Sequence, residues 1–323
     1  MNILITGGCG FIGTSLIQSL INDHGVSDIC VLDNLSEGSF EDLQEVGGFV
    51  RFDAGSNIPE EGLRFVEGDI RDYEVVEKCC RKVGGVVHLA ANTGVAPSVE
   101  NPRMDMESNV IGVLNLLEGM RVNAINKFVF ASSGAPAGAV EPPIHEEIAP
   151  HPVSPYGASK LAGEGYCSAY YHSFGINTIA LRFGNVFGPR SKNKSSVIAK
   201  FIRQALSGQV CEVYGDGAQT RDFIYIDDLV RAIVMAFNAP LGGEIFQIAS
   251  GGELSVSEAI DEVSSALGKF GFSLAVVKSS PRVGDVRRNY SDTSKAARML
   301  GWQPEVPFAL GVEKTVKYFI DRL

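Results

Sequence analysis

At 323 residues, with 45% hydrophobic and 20% charged side chains, the chain has ordinary globular usage. That excludes disorder, coiled coil and collagen-like repeats and leaves room for about two domains. The 38 acidic residues outnumber the 28 basic ones for a formal net charge of −10, so bulk attraction to nucleic acid or anionic lipid is excluded and an anionic ligand has to be held locally.

The first β-rich run, Ile3–Thr6, passes straight into Thr6-Gly7-Gly8-Cys9-Gly10-Phe11-Ile12-Gly13 and then an amphipathic helical pattern. No basic leader or cleavage site precedes it, and no uncharged apolar stretch reaches spanning length, so neither secretion nor a membrane anchor is expected. Gly7, Gly10 and Gly13 allow a tight turn and close backbone approach, and the helix that follows offers N–H groups and a positive dipole end to a pyrophosphate. The second run, Ile29–Asp33, ends in Asp33, 20 residues beyond Gly13, where a carboxylate takes ribose hydroxyls. With no arginine beside Asp33, NAD is favoured over NADP.

Further strands are predicted at Leu63–Val66, Val86–Ala90, Phe128–Ser132 and Thr178–Phe183, with helical spacing between most of them. Asp69 follows the third, placed either to reach an adenine edge or as an ordinary loop carboxylate. This alternation predicts an α/β fold, a Rossmann-type doubly wound parallel sheet. After Gly184 the pattern loosens into loops, helical stretches near Val197–Ser207, Asp227–Phe237 and Ser257–Leu267, and short strands such as Glu244–Ile248. These form a smaller C-terminal α/β substrate lobe. The expected division is 1–183 and 184–323, partly interleaved, with no repeat or low-complexity linker.

Tyr156 and Lys160, four residues apart on a helical stretch opened by Ser154-Pro155, lie on one helix face. A phenol of pKa near ~10 is a poor base at neutral pH, and an adjacent ammonium with a cationic nicotinamide stabilises its phenolate. The six cysteines form no C-x-x-C pair, which argues for reduced thiols and a cytoplasmic protein. Cys9 is read as filling the phosphate turn and the five histidines as structural, with no metal spacing.

In these motifs the chain resembles the extended short-chain dehydrogenase/reductase family, in its nucleotide-sugar 4-epimerase branch, UDP-glucose 4-epimerase-like. The resemblance spans nearly the whole length through Thr6 to Gly13, His88-Leu89-Ala90-Ala91, Ser132-Ser133, Tyr156 with Lys160, and Leu181 to Arg190. It continues through Gly215-Asp216-Gly217, Arg221 to Asp227, and Arg282-Val283-Gly284-Asp285. It implies that Phe11, Ile12, Asn34, Asp69, Ile70, Leu89, Ala90 and Ala91 join the glycines and Asp33 around NAD. Asn185, Arg221 and Arg282 would hold the diphosphate of a UDP-sugar, with Asp285 and Asn289 nearby, and Ser133 would bond the reacting sugar oxygen. Two guanidiniums suit a diphosphate that an anionic protein otherwise repels. Tyr156 would take the 4-hydroxyl proton while Lys160 tunes it and binds the nicotinamide ribose, the hydride passing to NAD⁺ and back. A homodimer is implied, through Asn109–Met120 and Pro155–Tyr171, although their apolar faces equally suit intrachain packing.

The chain also departs from relatives. Related 4,6-dehydratases carry an Asp-Glu pair just after the hydroxyl residue and UDP-glucuronate decarboxylases a Glu, where this chain has Gly134-Ala135; both reactions lose their acid/base group. Pro136-Ala137-Gly138 replaces the usual Val-Tyr-Gly, and Ala96-Pro97 stand where relatives have larger or basic groups. Asn289, four residues past Asp285, matches the position beside the sugar C2 substituent. It is small enough to admit UDP-N-acetylglucosamine as well as UDP-glucose, unless it is simply a surface residue. Arg287 and Arg288 leave open a uronic acid. A one-way keto-sugar reductase and a non-catalytic NAD-binding regulator are the rival readings.

Overall fold

The apolar runs of the N-terminal half fold as strands whose faces are both covered. In the computed structural model, which describes residues 2–192, 196–280 and 287–323, β1 (Asn2–Thr6) delivers the glycine turn to α1 (Phe11–Asn22). Then come β2 (Asp28–Asp33), α2 (Phe40–Gln44), β3 (Val50–Asp53), β4 (Leu63–Glu67), α3 (Tyr73–Cys79) and β5 (Gly85–His88). Two short helices, α4 (Val95–Glu100) and α5 (Pro102–Met106), lead through a π-helical turn at Glu107–Ile111 into α6 (Gly112–Val122). β6 (Lys127–Ser133), α7 (Pro155–Phe174) and β7 (Asn177–Phe183) follow.

The C-terminal half contributes β8 (Asn185–Phe187), α8 (Val197–Leu206), β9 (Cys211–Tyr214), β10 (Thr220–Arg221), β11 (Phe223–Tyr225) and α9 (Ile226–Asn238). It ends with β12 (Glu244–Ile248), β13 (Leu254–Ser255), α10 (Val256–Gly268), β14 (Val276–Ser279), α11 (Ser294–Leu300) and α12 (Phe308–Ile320).

Eight strands make one sheet in the order β12, β7, β6, β5, β1, β2, β4, β3. β1 runs parallel to both neighbours, with Thr6 opposite Leu32 on one side and His88 on the other. Ile3, Leu4, Ile5, Val86 and Val87 are at most 1% exposed, as expected of central parallel strands covered by helices above and below. The expected Rossmann-type parallel sheet is therefore present. Two features differ from the pattern. β3 adds an edge strand that its exposed residues hid, and β12 closes the opposite edge of this sheet instead of standing in the smaller lobe.

Local chemistry sets the element ends. Ser154 accepts from the Gly157 N–H, Pro155 takes the first turn of α7, and Gly175 ends it in the left-handed region. α10 opens with a full capping box between Ser255 and Glu258.

The chain divides into two compact units. The first comprises Met1–Ala139, Glu146–Arg182 and Ala232–Phe246, and the second Val140–His145, Phe183–Arg231 and Gln247–Leu323. Within the second, β8 pairs with β11 in parallel and β10 with β13 antiparallel, and Trp302, fully buried, donates its Nε1–H to the Asp228 carbonyl. Both Asp228 carboxylate oxygens accept backbone N–H groups, of Glu305 and Val306, so this residue clamps the 302–306 turn besides lying at the start of α9. Among the described residues no helix is long and apolar enough to cross a membrane. All six cysteines are buried free thiols.

Candidate active site

The glycine turn is closed by backbone. Gly7 has φ +71°, and a Cβ there would stand 2.6 Å from the Ala90 N; one on Gly13 would stand 2.3 Å from the Gly7 carbonyl oxygen. Only glycine fits such approaches. Gly10 precedes α1 without any side-chain cap, so the first-turn N–H groups of Phe11 and Ile12 have no intrahelical partner and suit an anion. Asp33, at the end of β2, accepts from the Cys9 N–H at 2.9 Å and the Leu35 N–H at 2.9 Å. Its burial raises the carboxyl above the ordinary range, and these backbone bonds pull it back. Cys9 is pushed upward by burial and by Asp33, so its thiol fills the turn and is not activated.

Asn34 donates to Asp69 at 3.0 Å. The Arg71 guanidinium, at 2.8 Å, holds the Asp69 carboxyl down to about 2, so this carboxylate is already engaged, and Ile70 beside it is buried. β5 ends at His88 instead of Ala90, because the Leu89 N–H turns to the Thr6 carbonyl and the Ala90 N–H to the Thr6 hydroxyl. Leu89, Ala90 and Ala91 thus form a loop against Gly7. This cradle of glycines, an uncapped helix start and a strand-end carboxylate fits a dinucleotide.

β6 and α7 bring Ser133, Tyr156 and Lys160 together. The Ser133 side chain lies close to the Tyr156 phenol; burial raises the phenol and the serine lowers it. Lys160, 3% exposed, donates from Nζ to the Ala131 carbonyl at 2.9 Å and lies 5.0 Å from the Phe130 ring centroid and 5.9 Å from that of Tyr156. Burial pushes the ammonium down to about 8, opposed by Asp105, Glu164 and Cys167. His88, between Phe128 and Phe130, bonds the Thr6 hydroxyl through Nδ1 at 2.7 Å. Burial, with Lys160 adding to it, lowers its pKa to about 3, so the imidazole is neutral at working pH.

The sequence reading missed a polar cluster behind these residues. Asn109, in the π-helical turn, donates to the Asn92 carbonyl, Asp105 Oδ1 and Ser159 Oγ at 3.0–3.1 Å and accepts from the Asn92 N–H at 2.8 Å. Glu164 is paired bidentately with Arg182 at 2.7 Å and accepts from Ser132 at 2.6 Å. The available signal was polar residues at four-residue spacing, Asp105 with Asn109 and Lys160 with Glu164.

In the second unit Asn185 is exposed and its side chain donates to the Asp222 carbonyl at 3.2 Å. Arg221 donates to the Thr220 carbonyl. Asp222, fully buried, accepts from Ser250, Gly251 and Ser291 and so fastens both flanking loops. Asn289 is half-buried one residue before Tyr290, whose carbonyl accepts from the Ile144 N–H. Arg288 is bound bidentately by Glu253 at 2.7 Å, and Arg287 pairs with Asp216 at 3.4 Å. Arg282 and Asp285 lie outside the described residues.

Comparison with known proteins agrees with this geometry. The model of the NAD dependent epimerase/dehydratase family matches residues 3–249. A Methanocaldococcus jannaschii homologue is 40% identical over 324 residues, 98% of this chain and 97% of that one. A UDP-glucose 4-epimerase of Mycolicibacterium smegmatis is 34% identical over 100% of this chain and 99% of that protein. The crystal structure of the Thermotoga maritima UDP-glucose 4-epimerase with UDP-glucose superposes with a TM-score of 0.89 at 35% identity, covering 100% of this chain and 99% of that one. With a family match over most of its length and relatives above 30% identity end to end, the chain belongs to the NAD-dependent epimerase/dehydratase family, a group of extended short-chain dehydrogenases that take NAD.

Proposed function

We propose that the chain interconverts the C4 epimers of a UDP-hexose, UDP-glucose and UDP-galactose first among them. The observation that carries this reading is the group of half-buried Ser133 and Tyr156 with buried Lys160 in a site whose following residues, Gly134 to Gly138, bring no carboxyl group. A dehydration needs an acid there; epimerisation does not. The Arg288–Glu253 and Arg287–Asp216 pairs argue against these guanidiniums as receptors for a uronic acid.

NAD⁺, which the glycine turn and Asp33 would hold, would supply a reversible hydride acceptor, so that no net oxidation would result. The protein's own work is proton handling. Tyr156 removes the 4-hydroxyl proton and later restores it, Ser133 bonds the same oxygen, and the Lys160 charge stabilises the phenolate. Without a positive charge beside it the half-buried phenol, already raised, stays protonated. Asn185, Arg221 and Arg282 are assigned to the diphosphate. Asn289 is assigned to the sugar C2 side, where its small side chain also admits an N-acetyl group. A homodimer through α6 and α7 is part of this reading, in keeping with Ile111, Val122 and Phe174, apolar residues 37–58% exposed on these helices and the turn before them.

The test is proton NMR of UDP-glucose, UDP-N-acetylglucosamine and UDP-glucuronate, each incubated with the protein and catalytic NAD⁺. Anomeric signals of the C4 epimer are expected from the first two without net NADH; no conversion in any tube refutes the reading. Tyr156→Phe is expected to lower turnover by about 10²–10⁴-fold with bound NAD retained. Net NADH oxidation by a keto-sugar would favour a reductase instead.

A further inference from the structure

Asp222 has no part in the reaction read above, yet Asn185, Arg221 and Asn289, assigned there to the UDP-sugar, all lead back to it. Asn185 gives its backbone N–H, at 2.8 Å, and its side-chain amide, at 3.2 Å, to the Asp222 carbonyl. Arg221 is the preceding residue. Asn289 stands two residues before Ser291, whose N–H donates to Asp222 Oδ2 at 3.1 Å.

Asp222 is 0% exposed, and four donors converge on its carboxylate. Oδ1 accepts from the Ser250 N–H and hydroxyl, both at 2.6 Å, and Oδ2 from the N–H groups of Gly251 and Ser291, both at 3.1 Å. Burial raises this carboxyl and these bonds pull against it. A carboxylate accepts on both oxygens, whereas an amide of the same shape would turn an N–H against one pair of donors. The chain around Ser291 is also gripped from its other side. Tyr290 accepts there from the Ile144 N–H and Asp292 donates to the Ile144 carbonyl, each at 2.9 Å. The segment that carries Asn289 is thus seated between Ile144 and the Asp222 carboxylate, while the Asp222 peptide seats Asn185.

We propose that Asp222 is a positioning residue for the nucleotide diphosphate: its carbonyl holds the Asn185 amide, and its carboxylate ties the Asn289 segment to the chain beside Arg221. This rests on the reading of Asn185, Arg221 and Asn289 as contacts of a UDP-sugar. Asp222 itself touches no ligand. It keeps the ligand groups in place before the ligand arrives, so its loss is felt in binding more than in the chemical step. Asp228 gives the comparison. It too is buried in the second unit with both oxygens accepting backbone N–H groups, at 2.9 Å, but it clamps the 302–306 turn, which carries no residue assigned to the substrate.

The experiment is calorimetry of UDP binding to the NAD-loaded full-length protein, with kcat and KM for UDP-glucose measured beside it. Asp222→Asn is expected to raise the Kd for UDP by about tenfold, with NAD retained and the change in turnover falling on KM more than on kcat. Asp228→Asn is expected to lower the melting temperature and leave that Kd alone. In an Asn185→Ala background the Asp222→Asn effect should shrink, because part of it runs through Asn185. An unchanged Kd in Asp222→Asn, an equal rise in Asp228→Asn, or full additivity with Asn185→Ala overturns the proposal. If Asp222→Asn does not fold, Ser250→Ala, which takes away one hydroxyl donor, decides. A rise in Kd of about threefold supports the assignment, and no rise overturns it. UDP binding needs no turnover, so a chain that binds UDP, responds to these variants and converts no sugar refutes the epimerase reading alone. A wild-type chain that binds no UDP overturns both.

Discussion

At the scale of single residues, the glycine turn is the least replaceable part of the molecule. A methyl group on Gly7 meets the peptide after Leu89 at 2.6 Å in a backbone of φ +71°, and both neighbours are backbone that cannot rotate away. Gly7→Ala is therefore expected to lower stability by about 1–3 kcal/mol and to abolish retention of NAD. Thermal melting together with the cofactor absorbance of the purified protein checks both. Gly25, also at positive φ but with nothing within 4 Å of an added Cβ, is the control that keeps its cofactor when changed to Ala. The glycine motif and Asp33 were legible because their chemistry is local to one strand and one turn. Asp105 and Asn109 were not, since nothing in a single helix says that a polar face will be enclosed by α7.

Among the elements, β6, α7 and β7 are held to one another by Ser132, Glu164 and Arg182, one residue from each. This pins the strand carrying Ser133 against the helix carrying Tyr156 and Lys160. Replacing Arg182 by Leu leaves Glu164 charged and unpaired in the core, an expected loss of about 3–5 kcal/mol. Urea unfolding of Arg182→Leu beside Glu164→Leu/Arg182→Leu tests this, and the double variant should recover part of the loss. The elements themselves read well where apolar runs were long. β3 was hidden because Val50-Arg51-Phe52-Asp53 is a largely exposed edge, where pattern and burial part company. β5 was read two residues too long, because Leu89 and Ala90 continue the apolar run after their N–H groups have left the ladder for Thr6.

For the whole molecule, order along the chain is not order in the sheet. β12 closes the edge beside β7 only after the chain has built much of the second unit, and Phe237 of α9 packs at Gly85, where a Cβ would stand 2.6 Å from its ring. Sequence proximity placed Glu244–Ile248 with its neighbours, and no local signal marks a strand that travels back. A fragment ending at residue 183 is expected to give no cooperative melting transition, whereas one ending at 249 should recover helical circular dichroism and NAD binding. A stably folded 1–183 fragment would show the returning segment to be dispensable.

That return also sets a clock. On a ribosome, the edge of β7 waits for the 60 residues from Gly184 to Gly243, about 3–12 s at the usual ~5–20 residues per second. For those seconds a strand carrying Ile179, Ala180 and Leu181, each at most 2% exposed in the finished protein, presents an unpaired ladder to its surroundings. Nascent-chain crowding and chaperone supply therefore bear on yield most strongly in that interval, after the nucleotide turn is made and before the sheet has its last strand.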